Sequence, residues 1–191
     1  MTVKSPPPRA MGPTPRTIAA HNAANLVKVA VLLFAIVSVV AAHRIRRLPL
    51  REHLALTKPP IEKAALCIII FVSYMLGTNY LSNWRGGWDW REGPLMIDIL
   101  RVLGVAILGP ITEELIFRGV IYYRLALTKL GVAGAIVVTA LAWGCFHLDY
   151  RPPVIARVVM GGCLLGAARY WTASVITPII MHIIWNVYGI W

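Results

Sequence analysis

Two adjacent glutamates and an arginine, Glu113, Glu114 and Arg118, interrupt a largely apolar run from Leu95 to Leu127. Four residues separate Glu114 from Arg118, so a helix places them on one face, where the two charges can neutralise each other in a low-dielectric interior. Glu113 points about 100° away and has no partner on its own helix, which suits a carboxylate that takes a proton from a reacting group. A second group, Trp143-Gly144-Cys145-Phe146-His147, sets an imidazole at the end of an apolar segment with Trp143 one turn back on the same face. The third, His182-Ile183-Ile184-Trp185-Asn186, stacks an imidazole and a carboxamide at four-residue spacing. Ionisable groups inside apolar segments cost several kcal/mol at bilayer depth, so they face a bundle interior or a wet cavity and are kept for a purpose. A carboxylate can deprotonate water, and imidazole and carboxamide N–H groups can donate to a developing oxyanion.

The elements that must position these groups are membrane helices. With 58% hydrophobic residues, 14% charged residues and a mean hydropathy of +0.68, the 191-residue chain lies outside the balance of a soluble domain. Apolar stretches run from Leu26 to Ala42, Ala64 to Ser82, Leu95 to Leu127, Gly131 to His147, Val154 to Tyr170 and Ala173 to Trp191. The expected fold is all-α, a polytopic bundle of about six to eight helices around an intramembrane polar cavity, since each crossing needs about 20 apolar residues. Gly109-Pro110 in the third stretch predicts a kink or a break there. Gly162 and Gly166, four apart in the fifth stretch, predict close helix packing.

Residues 1–25, rich in proline with Lys4, Arg9 and Arg16, predict a disordered basic tail, leaving residues 26–191 as a single transmembrane domain. The net charge of +11 resides mainly in loops, as membrane topology requires, and therefore predicts no nucleic-acid partner. Arg44, Arg46, Arg47, Arg51, Lys58 and Lys63 mark the first loop as cytoplasmic, which puts the N-terminus outside. Cys67, Cys145 and Cys163 lie in apolar runs and read as packing residues. Cys145 and His147 are about 200° apart on a helix, which argues against a thiol–imidazole pair.

The order Glu-Glu-xxx-Arg, aromatic-xxx-His and His-xxx-Asn, spanning Pro110 to Asn186, resembles the CAAX protease and bacteriocin-processing family of intramembrane peptidases, which includes the Ras-converting prenyl-protein endopeptidase. One departure is Trp143, where the family usually has phenylalanine. The resemblance implies that Glu113, helped by His147, activates a water against a peptide carbonyl. It assigns His182 and Asn186 to the oxyanion, with Glu114, Arg118 and Trp143 in support. It also implies a protein or peptide substrate, such as the C-terminal tail of an exported or lipid-modified protein cut by myxosortase-like relatives. The short chain suggests a bacterial or archaeal cytoplasmic membrane.

No cofactor is required by that chemistry. Glu113, His147 and His182 nevertheless make up the two-histidine, one-carboxylate set of zinc hydrolases, although no His-Glu-xx-His helix is present. A transporter also places acids and histidines in spans, but the N-terminal half holds no second copy of the Glu-Glu-xxx-Arg segment. A non-catalytic scaffold or immunity protein is a third reading. A depth conflict also arises: Glu113 lies some 18 residues, or roughly 27 Å, into a helix that starts outside, whereas His147 ends near the outer face. On this reckoning only a broken or re-entrant third segment brings them level.

Overall fold

The computed structural model describes residues 54–82, 102–148 and 150–190, with Val37, Val40, Arg51 and Ile99 as isolated positions. The tail at 1–25, nearly all of the expected span at 26–42, most of the first basic loop and the tryptophan-bearing loop at 84–92 lie outside the described residues. Among the described residues there are five helices and no strand.

Helix α1 covers Ile61–Ser82. Its inward stripe of Ala64, Cys67, Phe71 and Met75 follows helical spacing, while Leu66, Ile69, Ile70 and Leu76 face outward. That all-round apolarity is what a lipid-facing helix requires. Helix α4, Pro152–Thr172, begins on two prolines after the extended Arg151 and ends where Ala173 adopts a left-handed conformation. By length and composition, α1 and α4 are each able to cross a membrane. Helix α3, Gly131–Cys145, and helix α5, Ile176–Ile190, are shorter apolar helices.

Helix α2 is one continuous helical run built of four segments. These are a π-helical segment Leu103–Leu108, an α segment Gly109–Glu114, a second π segment Leu115–Ile121 and a closing α segment Tyr122–Ala126. Gly109-Pro110 therefore does not break the helix. The disturbance is taken up by wider turns, in which the Gly109 N–H bonds back to the Gly104 carbonyl rather than to that of Val105. Such turns shift the hydrogen-bond register by one position and let a helix carry a proline.

A four-residue turn, Leu127–Leu130, joins α2 to α3 and closes with the Gly131 N–H on the Thr128 carbonyl. Gly131 sits at φ +60, a conformation open to glycine and strained for other residues. Helix α4 packs closely along α3. A side chain at Gly162 would meet Ala140 at 3.1 Å, and one at Gly166 would meet Ile136 at 3.2 Å, so the predicted small-residue packing is present. Phe71, Met75, Phe117, Trp143, Leu165 and Met181 form the common core of all five helices. Cys67 is buried within it, whereas Cys145 is exposed on α3 rather than serving as a packing residue.

Candidate active site

Because α2 and α3 are joined by so tight a turn, residues equally far from it lie side by side. Glu113 is thirteen residues before Ala126 and Trp143 twelve after Gly131, and the two meet: the Trp143 indole Nε1–H donates to Glu113 Oε2 at 2.6 Å. The expected depth conflict is thereby removed without any break in α2. Depth is set by distance from the α2–α3 turn, not by distance from the far end of α2. His147 lies one turn beyond Trp143. Its Nδ1 is 3.0 Å from the Trp143 carbonyl and its ring centroid 5.1 Å from that of the indole.

Glu114 is fully buried, as is Arg118. The predicted pair forms, with Arg118 Nη1 donating to Glu114 Oε1 at 2.7 Å. The guanidinium is also held from α4, where the Gly162 carbonyl accepts from Nη2 at 3.1 Å, and it lies over the Trp143 ring at 5.0 Å. Side chains do not fit where α4 approaches here, so Gly162 admits α3 and presents its carbonyl at once. From the same helix, Arg169 Nε donates to the Arg118 carbonyl at 3.2 Å.

Helix α5 brings His182 to both glutamates. Its Nδ1 lies 2.9 Å from Glu114 Oε1, the oxygen that already accepts from Arg118, and its Nε2 lies 4.0 Å from Glu113 Oε2. Its ring packs edge-on to Trp143 at 5.0 Å. Glu113, Glu114, Arg118, Trp143 and His182 thus form one connected constellation drawn from α2, α3 and α5. Glu113 alone among the three charged members retains partial exposure, 24% of its side chain.

Asn186 sits one turn further along α5, and its Nδ2 donates to the Val105 carbonyl at 2.8 Å. That contact has a local cause. The Gly109 N–H, the ordinary partner of Val105, bonds to Gly104 instead, and the next candidate in the wider register is Pro110, which has no N–H. Asn186 satisfies the carbonyl left over. Sequence reading paired Asn186 with His182 and did not foresee this second partner. It also missed Trp143 as a donor, although a buried indole N–H generally finds an acceptor.

The geometry is that of a buried carboxylate–imidazole site open at Glu113. Residues 95–188 match the family model described as type II CAAX prenyl endopeptidase Rce1-like. Over these residues the chain carries an Rce1-like domain. This Rce1-like domain takes in every residue singled out above, from Val105 to Asn186. No curated protein and no solved structure matches the chain. Among the described residues, no three of the His, Cys, Asp and Glu side chains of the Rce1-like domain are grouped at the spacing of a metal site.

Proposed function

We propose that the protein is an intramembrane endopeptidase that hydrolyses a peptide bond in a membrane-associated protein or peptide. The observation that carries this reading is the partly exposed Glu113 carboxylate, held by Trp143 and facing His182 Nε2 across 4.0 Å. That separation is too long for a direct hydrogen bond, and one water molecule can touch both groups. Glu113 accepts the proton of the attacking water, with His147 assisting from the turn that follows α3. The carbonyl oxygen receives hydrogen bonds from Asn186, whose amide has a second hydrogen besides the one on Val105, and from His182 once it is protonated. Glu114 and Arg118 hold the frame.

The Rce1-like match supplies the reaction class, and apolar helices α1 and α4 fit a bilayer setting; the membrane we propose is the cytoplasmic membrane of a bacterial or archaeal cell. A C-terminal tail of an exported or lipid-modified protein is the substrate class that a site within such a bundle can reach. The test is Glu113→Gln, which keeps the shape of the side chain and removes its basicity. Membrane proteomes of cells carrying the wild type should contain cleaved proteins that stay whole in the variant. Equal cleavage by a folded Glu113→Gln protein would refute the assignment.

A further inference from the structure

Glu114 has a task beyond neutralising Arg118. As the carboxylate partner of a guanidinium it only accepts hydrogen bonds, and Oε1 already accepts from Arg118 Nη1 at 2.7 Å. The 2.9 Å contact with His182 Nδ1 therefore needs the imidazole proton on Nδ1. A neutral imidazole carries one N–H, so Nε2, 4.0 Å from Glu113 Oε2, then presents its lone pair. We propose that the Glu114–Arg118 pair is a positioning device that fixes His182 in its Nδ1–H tautomer and makes Nε2 a proton acceptor facing the Glu113 carboxylate. This rests on the endopeptidase reading for its catalytic consequence.

The fixation is tight. Glu114 and Arg118 are both fully buried, His182 is nearly so, and the Trp143 ring blocks one side of the imidazole. Water has little access to offer Nδ1 an alternative partner. A carboxylate behind a histidine holds its tautomer and ring orientation and stabilises the imidazolium that forms during turnover.

The reaction balances without any further reagent. As the water oxygen bonds to the peptide carbon, its O–H bond breaks and the proton ends on the Glu113–His182 pair. Imidazolium His182, steadied by Glu114, then donates from Nε2 to the departing nitrogen as the C–N bond breaks. One water is consumed, and an acid and an amine are released. His182 thus acts as an acceptor before it is a donor.

Nitrogen-15 NMR of histidine-labelled full-length protein in bicelles, with the His182 signal assigned by its loss in His182→Gln, reads the tautomer directly. The expected result is a protonated Nδ1 and an unprotonated Nε2. A resting Nε2–H tautomer would overturn the proposal. The paired variant Glu114→Met with Arg118→Met removes acceptor and counter-charge together, so neither charge is left buried alone. In it the His182 signals should become those of a mixed tautomer. Its kcat should fall on the order of 10²-fold or more with KM within about threefold, on a quenched peptide spanning a cut site identified in the proteome comparison. A folded double variant with unchanged tautomer and kcat also overturns the proposal. If that variant does not fold, the wild-type spectrum decides alone. A pinned tautomer in a protein that cleaves nothing would sink the endopeptidase reading and leave the positioning assignment standing.

Discussion

Trp143→Phe isolates the indole hydrogen bond to Glu113. Phenylalanine keeps an aromatic ring against Arg118 and His182 but has no N–H for Glu113 Oε2. A hydrogen bond to a charged group contributes about 1.5–3 kcal/mol, and water can reach a carboxylate that is 24% exposed, so the lower end applies, about 1.5 kcal/mol. Trp143 is 2% exposed, and the smaller ring leaves a gap that costs on the order of 1 kcal/mol more. The total is about 2.5 kcal/mol, roughly 5–10 °C in Tm for a chain of this size. Thermal unfolding in detergent micelles measures the sum, and a cycle with Glu113→Ala separates the two parts, because only the hydrogen bond depends on both residues. The coupling should be about 1.5 kcal/mol. A value within about 0.3 kcal/mol of zero would show that the 2.6 Å contact contributes nothing, and the account of how Glu113 is held would fail.

Asn186→Ala should cost about 1–3 kcal/mol by leaving the Val105 carbonyl without a donor. Pro110→Ala, which restores an N–H to α2, should recover part of that loss in the same background, as seen by denaturant titration. A Cβ at Gly161 would overlap the Trp185 ring, so Gly161→Ala should displace that ring and lower stability by about 1–3 kcal/mol. A similar loss is not expected from Gly77→Ala, where a Cβ meets nothing within 4 Å, and comparison of their melting curves checks both. Because the proposed mechanism runs on Glu113 and water, strong chelators should leave cleavage unchanged. Stoichiometric zinc whose removal reversibly stops turnover would replace it with metal-assisted hydrolysis.

The sequence made the short-range parts of this site legible. Glu114 and Arg118 pair because helical spacing leaves them little choice, and the divergence of Glu113 from that face follows from the same geometry. The family resemblance followed from residue types in order, which needs no knowledge of tertiary structure. What lies against each face was harder to read. The meeting of Glu113 and Trp143 was present in the spacing on either side of the Leu127–Leu130 turn, yet counting from the distal end of α2 hid it. His182 reaching Glu114 depends on how α5 crosses α2, a tertiary fact with no local signature. The role of Asn186 at Val105 required knowing that α2 widens before Pro110, whereas proline alone predicted a kink or a break.

Those wide turns also bear on how such a protein can change over time. Each π turn takes up one residue more than an α turn, so the Gly109–Glu114 segment is bracketed by two places where residues are held in reserve. A single-residue deletion in Leu103–Leu108 can be absorbed by tightening the turn to α geometry, with the helix ends kept in place. A deletion between Val105 and Gly109 would keep the Gly109 N–H on the Gly104 carbonyl, now four residues back, and would leave Val105 opposite Pro110, so Asn186 keeps that duty. A deletion among Leu115, Ile116 and Phe117 would shorten the Glu114–Arg118 spacing from four residues to three, still one helix face, and one at 119–121 would leave that spacing unchanged. Length variation in a lineage of such proteins is thus buffered: a loss within either wide turn can be taken up beside the glutamates while the pair that frames the site stays on one face.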